Sequence, residues 1–145
     1  MKVVLQRVAR ASVKVGDKVV GRIARGYVAL VGFGAGDDEA VADKMIEKIR
    51  KLRLFADDEG KTNLSIADIH GELLVVSQFT LYADCRKGNR PSFTDAAPPE
   101  RAKALYDYFV AAAASYFVKV AHGSFGACMQ VELVNDGPFT VVLEM

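Results

Sequence analysis

The sequence predicts an α+β domain spanning residues 1–145, built mostly from antiparallel strands and covered by two main helices. Three observations predict it. Apolar runs at Tyr27–Phe33 and Leu73–Ser77 read as strands covered on both faces. Apolar residues recur at helical spacing in two segments, at Val41, Met45, Ile49 and Leu52 and again at Leu105, Phe109, Ala113 and Tyr116. Alternating stretches flank Gly16-Asp17 and Asn135-Asp136-Gly137-Pro138, so each reads as a hairpin around a turn.

The elements follow in order. Residues 2–8 alternate loosely and read as a strand, and Ser12–Val15 with Lys18–Ile23 form the first hairpin around Gly16-Asp17. After the Tyr27–Phe33 strand, Asp37 or Asp38 caps the first helix. Asp57-Asp58-Glu59-Gly60-Lys61 is a polar turn leading toward the Leu73–Ser77 strand. Residues 84–99 form the longest loop, and loops of that length are usually functional. Pro98 and Pro99 suit the first turn of the second helix, after which Phe117–Ala121 turns strand-like. Met129–Val134 and Phe139–Leu143 then close the chain as the second hairpin.

Composition narrows the function classes. A content of 51% hydrophobic and 26% charged residues excludes disorder and collagen-like repeats. Nineteen Lys and Arg against eighteen Asp and Glu exclude a strongly basic, histone-like binder. The charge is uneven, however. Lys2, Arg7, Arg10, Lys14, Lys18, Arg22 and Arg25 crowd the first segment against Asp17, a pattern that fits either a face for phosphate or ordinary exposed strands. Two cysteines, Cys85 and Cys128, and an opening MKVVLQRVAR broken by charge point to a cytoplasmic protein with reduced thiols. No stretch approaches the roughly 18 apolar residues of a membrane span.

Several motifs carry little chemistry. Gly32-Phe33-Gly34-Ala35-Gly36 lies between a strand and a helix, but Asp37 stands where a dinucleotide loop needs its third glycine. A tight strand–helix connection is the better reading. His70, His122, Cys85 and Cys128 lack metal-ligand spacing, and no G-x-S-x-G elbow is present. No metal or organic cofactor is therefore expected. Ser77-Gln78-Phe79-Thr80 is different: hydroxyl and amide groups end a buried strand, where they can line a pocket and the backbone can present N–H groups to an oxyanion. A strand turning a corner with satisfied polar groups would look the same. Gly137-Pro138 is compatible with a cis bond that fixes its carbonyl directions, or with an ordinary turn.

Four segments together carry a resemblance: SQFTL at Ser77–Leu81, KGNRPSF at Lys87–Phe93, FGACMQV at Phe125–Val131 and NDGPFT at Asn135–Thr140. LQRVARASV, KIRKLRLF and GKTNLS extend it over the whole chain, which resembles the bacterial-type D-aminoacyl-tRNA deacylases. The resemblance implies a barrel-like fold and a cytoplasmic homodimeric hydrolase. Its substrate would be the ester joining a D-amino acid, or glycine, to the terminal adenosine of tRNA. It assigns Ser77, Gln78, Phe79 and Thr80 to the catalytic strand end, and Phe125 and Met129 to an adenine-receiving region. It places Gly137 and Pro138 in a cis motif that reaches the partner subunit's site, holds the substrate's ammonium and excludes L side chains. Thr80 is one candidate nucleophile. The other reading, favoured because neither histidine lies near Thr80 in sequence, gives the work to backbone N–H groups near Phe79 and to the tRNA's own 2′-hydroxyl. Phe139, Cys128 and His122 depart from the Val, acidic residue and Thr common at these positions.

Two competing functions remain open on sequence. One is a non-catalytic tRNA- or protein-binding module using the N-terminal basic strands, which would bind with strong salt dependence and release no amino acid. The other is a related deacylase acting on a different misacylated tRNA, against which the intact SQFTL stands.

Overall fold

The structure is a computed structural model describing residues 1–145. Its organising element is β1 (Lys2–Val15), an unbroken strand where the sequence suggested a strand followed by half a hairpin. Ala11–Val15 pairs antiparallel with β2 (Lys18–Ile23) across the expected Gly16-Asp17 turn. Lys2–Val8 pairs antiparallel with β3 (Gly26–Gly32). The helix α1 (Glu39–Lys51) follows, with the Asp38 carboxylate accepting from the Val41 amide at 2.9 Å and Leu52 as its C-cap. A small hairpin comes next, β4 (Arg53–Ala56) and β5 (Thr62–Ser65), joined by the Asp57–Lys61 turn. Its strands escaped the sequence reading, since four residues are too few to show a period. β6 (Glu72–Ser77) runs parallel to β3, and β7 (Val120–His122) runs parallel to β6. Between them lie a 3₁₀ turn at Phe79–Tyr82 and α2 (Pro99–Ala113), which stops short of the expected Tyr116.

β8 (Gln130–Glu144) corrects the expected second hairpin. Both of its halves pair antiparallel with β1, from Lys2↔Glu144 through Lys14↔Gln130. The register jumps from Gln6↔Thr140 to Val8↔Asn135, so residues 136–139 bulge out of a strand that never reverses. Asn-Asp-Gly-Pro is locally a turn signal. The long partner strand supplies ladder hydrogen bonds on both sides of it, and those outweigh the local preference.

The sheet runs β2-β1-β3-β6-β7, with β8 on the other side of β1, and it curls into a nearly closed barrel. The closure is tight where β2 meets β7: a Cβ on Gly21 would lie 2.9 Å from the His122 carbonyl oxygen, so only glycine fits. Burial on two faces explains the apolar run in β6. Leu73 and Val75 join the cluster that packs under α1 and α2, with Met45, Ile49 and Phe109. Leu74 and Val76 point the other way, into the barrel, with Val8, Val13, Ile23 and Val28. No helix is long and apolar enough to cross a membrane.

Candidate active site

The apolar run of β6 ends at Ser77, the last residue paired with β3, opposite Val31. The Gln78 amide still donates to the Val31 carbonyl at 2.7 Å, and the chain then breaks into the 3₁₀ turn. The amides of Phe79 and Thr80 open that turn. They have no acceptor within it, and no side chain caps it. A cavity of about 480 Å³ lies beside this strand end. Val76, Ser77, Gln78 and Phe79 form one wall. Ala97 just before α2, with Pro99 and Ala102 of its first turn, and Phe125, Gly126, Ala127 and Met129 of the β7–β8 loop supply most of the rest. Five expected site residues therefore converge although nearly fifty positions separate them in sequence.

Thr80 sits just beyond the lining, exposed, and its hydroxyl accepts from the Gln78 side-chain amide. Neither histidine attends it. His122 turns Nδ1 to the Gly123 carbonyl at 2.9 Å, and His70 occupies a turn at φ +51°. Cys85 and Cys128 are exposed free thiols, and nowhere do three His, Cys, Asp or Glu side chains gather as metal ligands would.

Two supports of the cavity were not legible in the sequence. Tyr106 of α2 is buried, and its hydroxyl donates to the carbonyls of Val75 (3.0 Å) and Gly123 (3.3 Å), tying β6 to the start of the β7–β8 loop. Its ring packs against Phe125 with centroids 5.7 Å apart, so one residue sets both the strand end and the opposite wall. Burial pushes its phenol pKa up. Asp37 is the second. Its carboxylate accepts from the N-terminal ammonium at 2.7 Å, the Gly34 amide at 2.6 Å and the Tyr82 hydroxyl at 3.3 Å. The glycine-rich connection is thus a strand–helix turn pinned from inside, and it anchors the 3₁₀ turn through Tyr82. Burial, then the Asp37 charge, raises the Tyr82 phenol.

Gly137 and Pro138 lie elsewhere in the chain. Their peptide bond is cis, Gly137 has φ +126°, and both residues are exposed on the β8 bulge. Arg7 holds the bulge from β1. Its Nε donates to the Asp136 carbonyl at 3.0 Å, its Nη1 to the Leu54 carbonyl at 2.5 Å, and its guanidinium lies 4.9 Å from the Phe139 ring centre. The Asn135 amide donates to the carbonyls of Arg7 (2.9 Å) and Phe139 (3.1 Å). Phe139, the departure from the usual Val, thus offers its ring to the Arg7 cation. In register, Arg7 faces Tyr27, which faces Leu73, four residues before Ser77. Three strand spacings of about 4.8 Å and four residues of about 3.3 Å put the bulge roughly 20 Å from the cavity of its own chain.

The family model described as D-Tyr-tRNA(Tyr) deacylase matches residues 4–144. A D-aminoacyl-tRNA deacylase of Roseiflexus sp. (strain RS-1) is 57% identical over 144 residues, covering 99% of this chain and 93% of the relative. One from Rhodopirellula baltica is 52% identical over the full length of both chains. Among solved structures, a c-Myc DNA Unwinding Element Binding Protein superposes with a TM-score of 0.95 at 42% identity, covering 100% of this chain and 99% of that one. A probable eukaryotic D-amino acid tRNA deacylase shares the fold, with a TM-score of 0.87 at 19% identity and coverage of 99% and 98%. With the barrel, the converging SQFT strand end and a match over nearly every residue, the chain belongs to the D-Tyr-tRNA(Tyr) deacylase family.

Proposed function

We propose that the protein hydrolyses the ester bond of D-aminoacyl-tRNA in the cytoplasm, releasing free tRNA and the D-amino acid, and that it also removes glycine. The observation that carries this reading is the cavity that joins Ser77, Gln78 and Phe79 to Phe125 and Met129 in a chain of this family. Phe125 and Met129 offer an apolar wall for the terminal adenine. The aminoacyl ester then lies toward the strand end, where the Phe79 and Thr80 amides donate to the oxyanion as the carbonyl carbon is attacked. Backbone donors cannot rotate away, so they stabilise the developing charge with little reorganisation. The attacking group is water, assisted by the ribose 2′-hydroxyl on the neighbouring carbon, and Thr80 is no nucleophile because no base faces its hydroxyl. No metal or organic cofactor takes part.

The chirality filter requires a second copy of the chain. Gly137 and Pro138 lie outside the ladder pairing of β8 and away from the cavity of their own chain, and the β8 surface exposes Val131, Val134 and Val142. A homodimer that covers those side chains brings the Gly137–Pro138 bulge into its partner's site. Its carbonyls accept from the substrate ammonium there, and an L side chain meets the backbone and is rejected. Selectivity by exclusion admits many D side chains and cannot refuse glycine, which has none.

Incubation with D-Tyr-tRNA and L-Tyr-tRNA side by side tests the reading. The D form is cleaved and the L form spared. Equal rates on both, or release from neither, would remove it. The name of the 42% identical structure favours a second reading, nucleic-acid binding without hydrolysis, and the same assay decides between them.

A further inference from the structure

The KGNRPSF segment contributes nothing to the cavity lining, yet it is built onto the cavity's rim. Two backbone hydrogen bonds between Asp84 and Ser92, at 2.7 and 3.0 Å, close a loop over residues 85–91. One residue later, Phe93 packs edge-on against Phe79 with ring centres 5.1 Å apart, and Phe79 lines the cavity. Farther along, Ala96 bridges to Gly34 and Ala97 reaches the lining. The loop is therefore fixed at its base to the mouth of the site.

Its tip is cationic. Residues 85–91 are all exposed and include Arg86, Lys87 and Arg90 but no acidic residue. Arg86 is occupied by Asp84, the guanidinium and carboxylate meeting at 2.8 Å, and Asp95 also faces it electrostatically. Lys87 and Arg90 have no carboxylate within ion-pair distance. At the loop's base Phe79, though met edge-on by Phe93, leaves 54% of its surface exposed in the single chain, a large exposure for an apolar ring. Uncompensated cations on a loop whose base, through Phe93, rests on an exposed aromatic ring are the elements that hold single-stranded nucleic acid. The cations take phosphates, and the ring stacks a base regardless of its identity.

We propose that the Lys87–Arg90 loop tip, with the exposed face of Phe79, is a clamp for the single-stranded 3′ end of RNA. Lys87 and Arg90 bind the backbone phosphates just before the terminal adenosine, and Phe79 stacks the penultimate base at the rim. The clamp rests on the deacylase reading, because it needs the terminal nucleoside in the cavity, and it explains how a site that small selects a whole tRNA over a free aminoacyl ester.

The test compares wild type with the K87Q/R90Q double variant in two measurements. The first is filter binding of uncharged tRNA across a salt series. Two lost phosphate contacts lower the slope of log K against log salt by about 1.4, with an affinity loss of about tenfold at moderate salt. The second is deacylation of D-Tyr-tRNA against D-Tyr-adenosine, which lacks those phosphates. The ratio of the two kcat/KM values falls about tenfold in the variant, mostly through KM for the tRNA. An unchanged salt slope, or equal losses on the two substrates, overturns the clamp. If wild type releases tyrosine from neither substrate, the deacylase reading falls, and the binding slope alone then decides whether the loop grips RNA.

Discussion

Arg7 is the residue on which the β8 bulge depends most, and Arg7→Ala measures that dependence. Its side chain is only 13% exposed, and its guanidinium donates to two carbonyls of different elements, Leu54 at the start of the β4–β5 hairpin and Asp136 in the bulge. A hydrogen bond from a charged donor is worth roughly 1.5–3 kcal/mol, and truncation leaves both acceptors without it. The ion pair with the Asp136 carboxylate at 3.4 Å adds little, since that carboxylate is 46% exposed. The expected loss is about 3 kcal/mol, which for a chain of this length lowers Tm by about 10 °C. Arg7→Lys keeps the charge but lacks the fork that spans two acceptors, so it should fall between the two. Thermal melts followed by circular dichroism give the first number. Deacylation of D-Tyr-tRNA well below both midpoints gives the second, and there the Arg7→Ala protein, still folded, should be at least tenfold slower because residues 135–139 are no longer held. A melt within about 2 °C of wild type, or undiminished activity, would refute the view that this side chain sets the bulge.

Three further outcomes follow from the same geometry. Thr80→Ala should keep activity within about tenfold of wild type, because the amides at the start of the turn survive truncation; a covalent tyrosyl adduct on Thr80, seen by mass spectrometry, would restore it as the nucleophile. Gly137→Ala should cost both stability and activity, since at φ +126° an L side chain is strained by roughly 1–3 kcal/mol and its Cβ would lie 2.8 Å from Arg7 Nη2; melting and turnover both unchanged would contradict this. In alkali, the phenols of Tyr27 and Tyr106, both raised by burial, favour the neutral form in the folded state, so their contribution is whole below the ordinary value near 10 and is lost as pH rises through and above it. Denaturant midpoints should therefore drop more steeply above about pH 10 in wild type than in Tyr27→Phe, and parallel curves would count against the assignment.

By itself the sequence determined what local chemistry controls. Tyr27–Phe33 and Leu73–Ser77 read as doubly covered strands, and β3 (Gly26–Gly32) and β6 (Glu72–Ser77) bear this out to within a residue at the ends, because burial on two faces leaves no polar position along their apolar runs. The Asp37-Asp38 pair announced α1, with the structure choosing Asp38 as the cap and turning Asp37 inward, and the Pro98-Pro99 pair announced α2, since caps and a fixed φ act within one turn. Ser77–Phe79, Phe125 and Met129 were legible as candidate site residues through the motifs that carry them. Tertiary structure decided the rest, and each case turns on contacts remote in sequence. Asn135–Pro138 has the composition of a turn, but β1 pairs with the chain on both sides of it, and a ladder of that length outweighs four residues' preference. The barrel seam brings β2 so close to the His122 carbonyl that Gly21 leaves no room for a side chain. Arg7 meets Asp136 across 129 positions, and Tyr106 reaches Val75 and Gly123 from another element. No periodicity marks such a side chain in advance, because its role is set by which backbone carbonyls the finished fold leaves facing it.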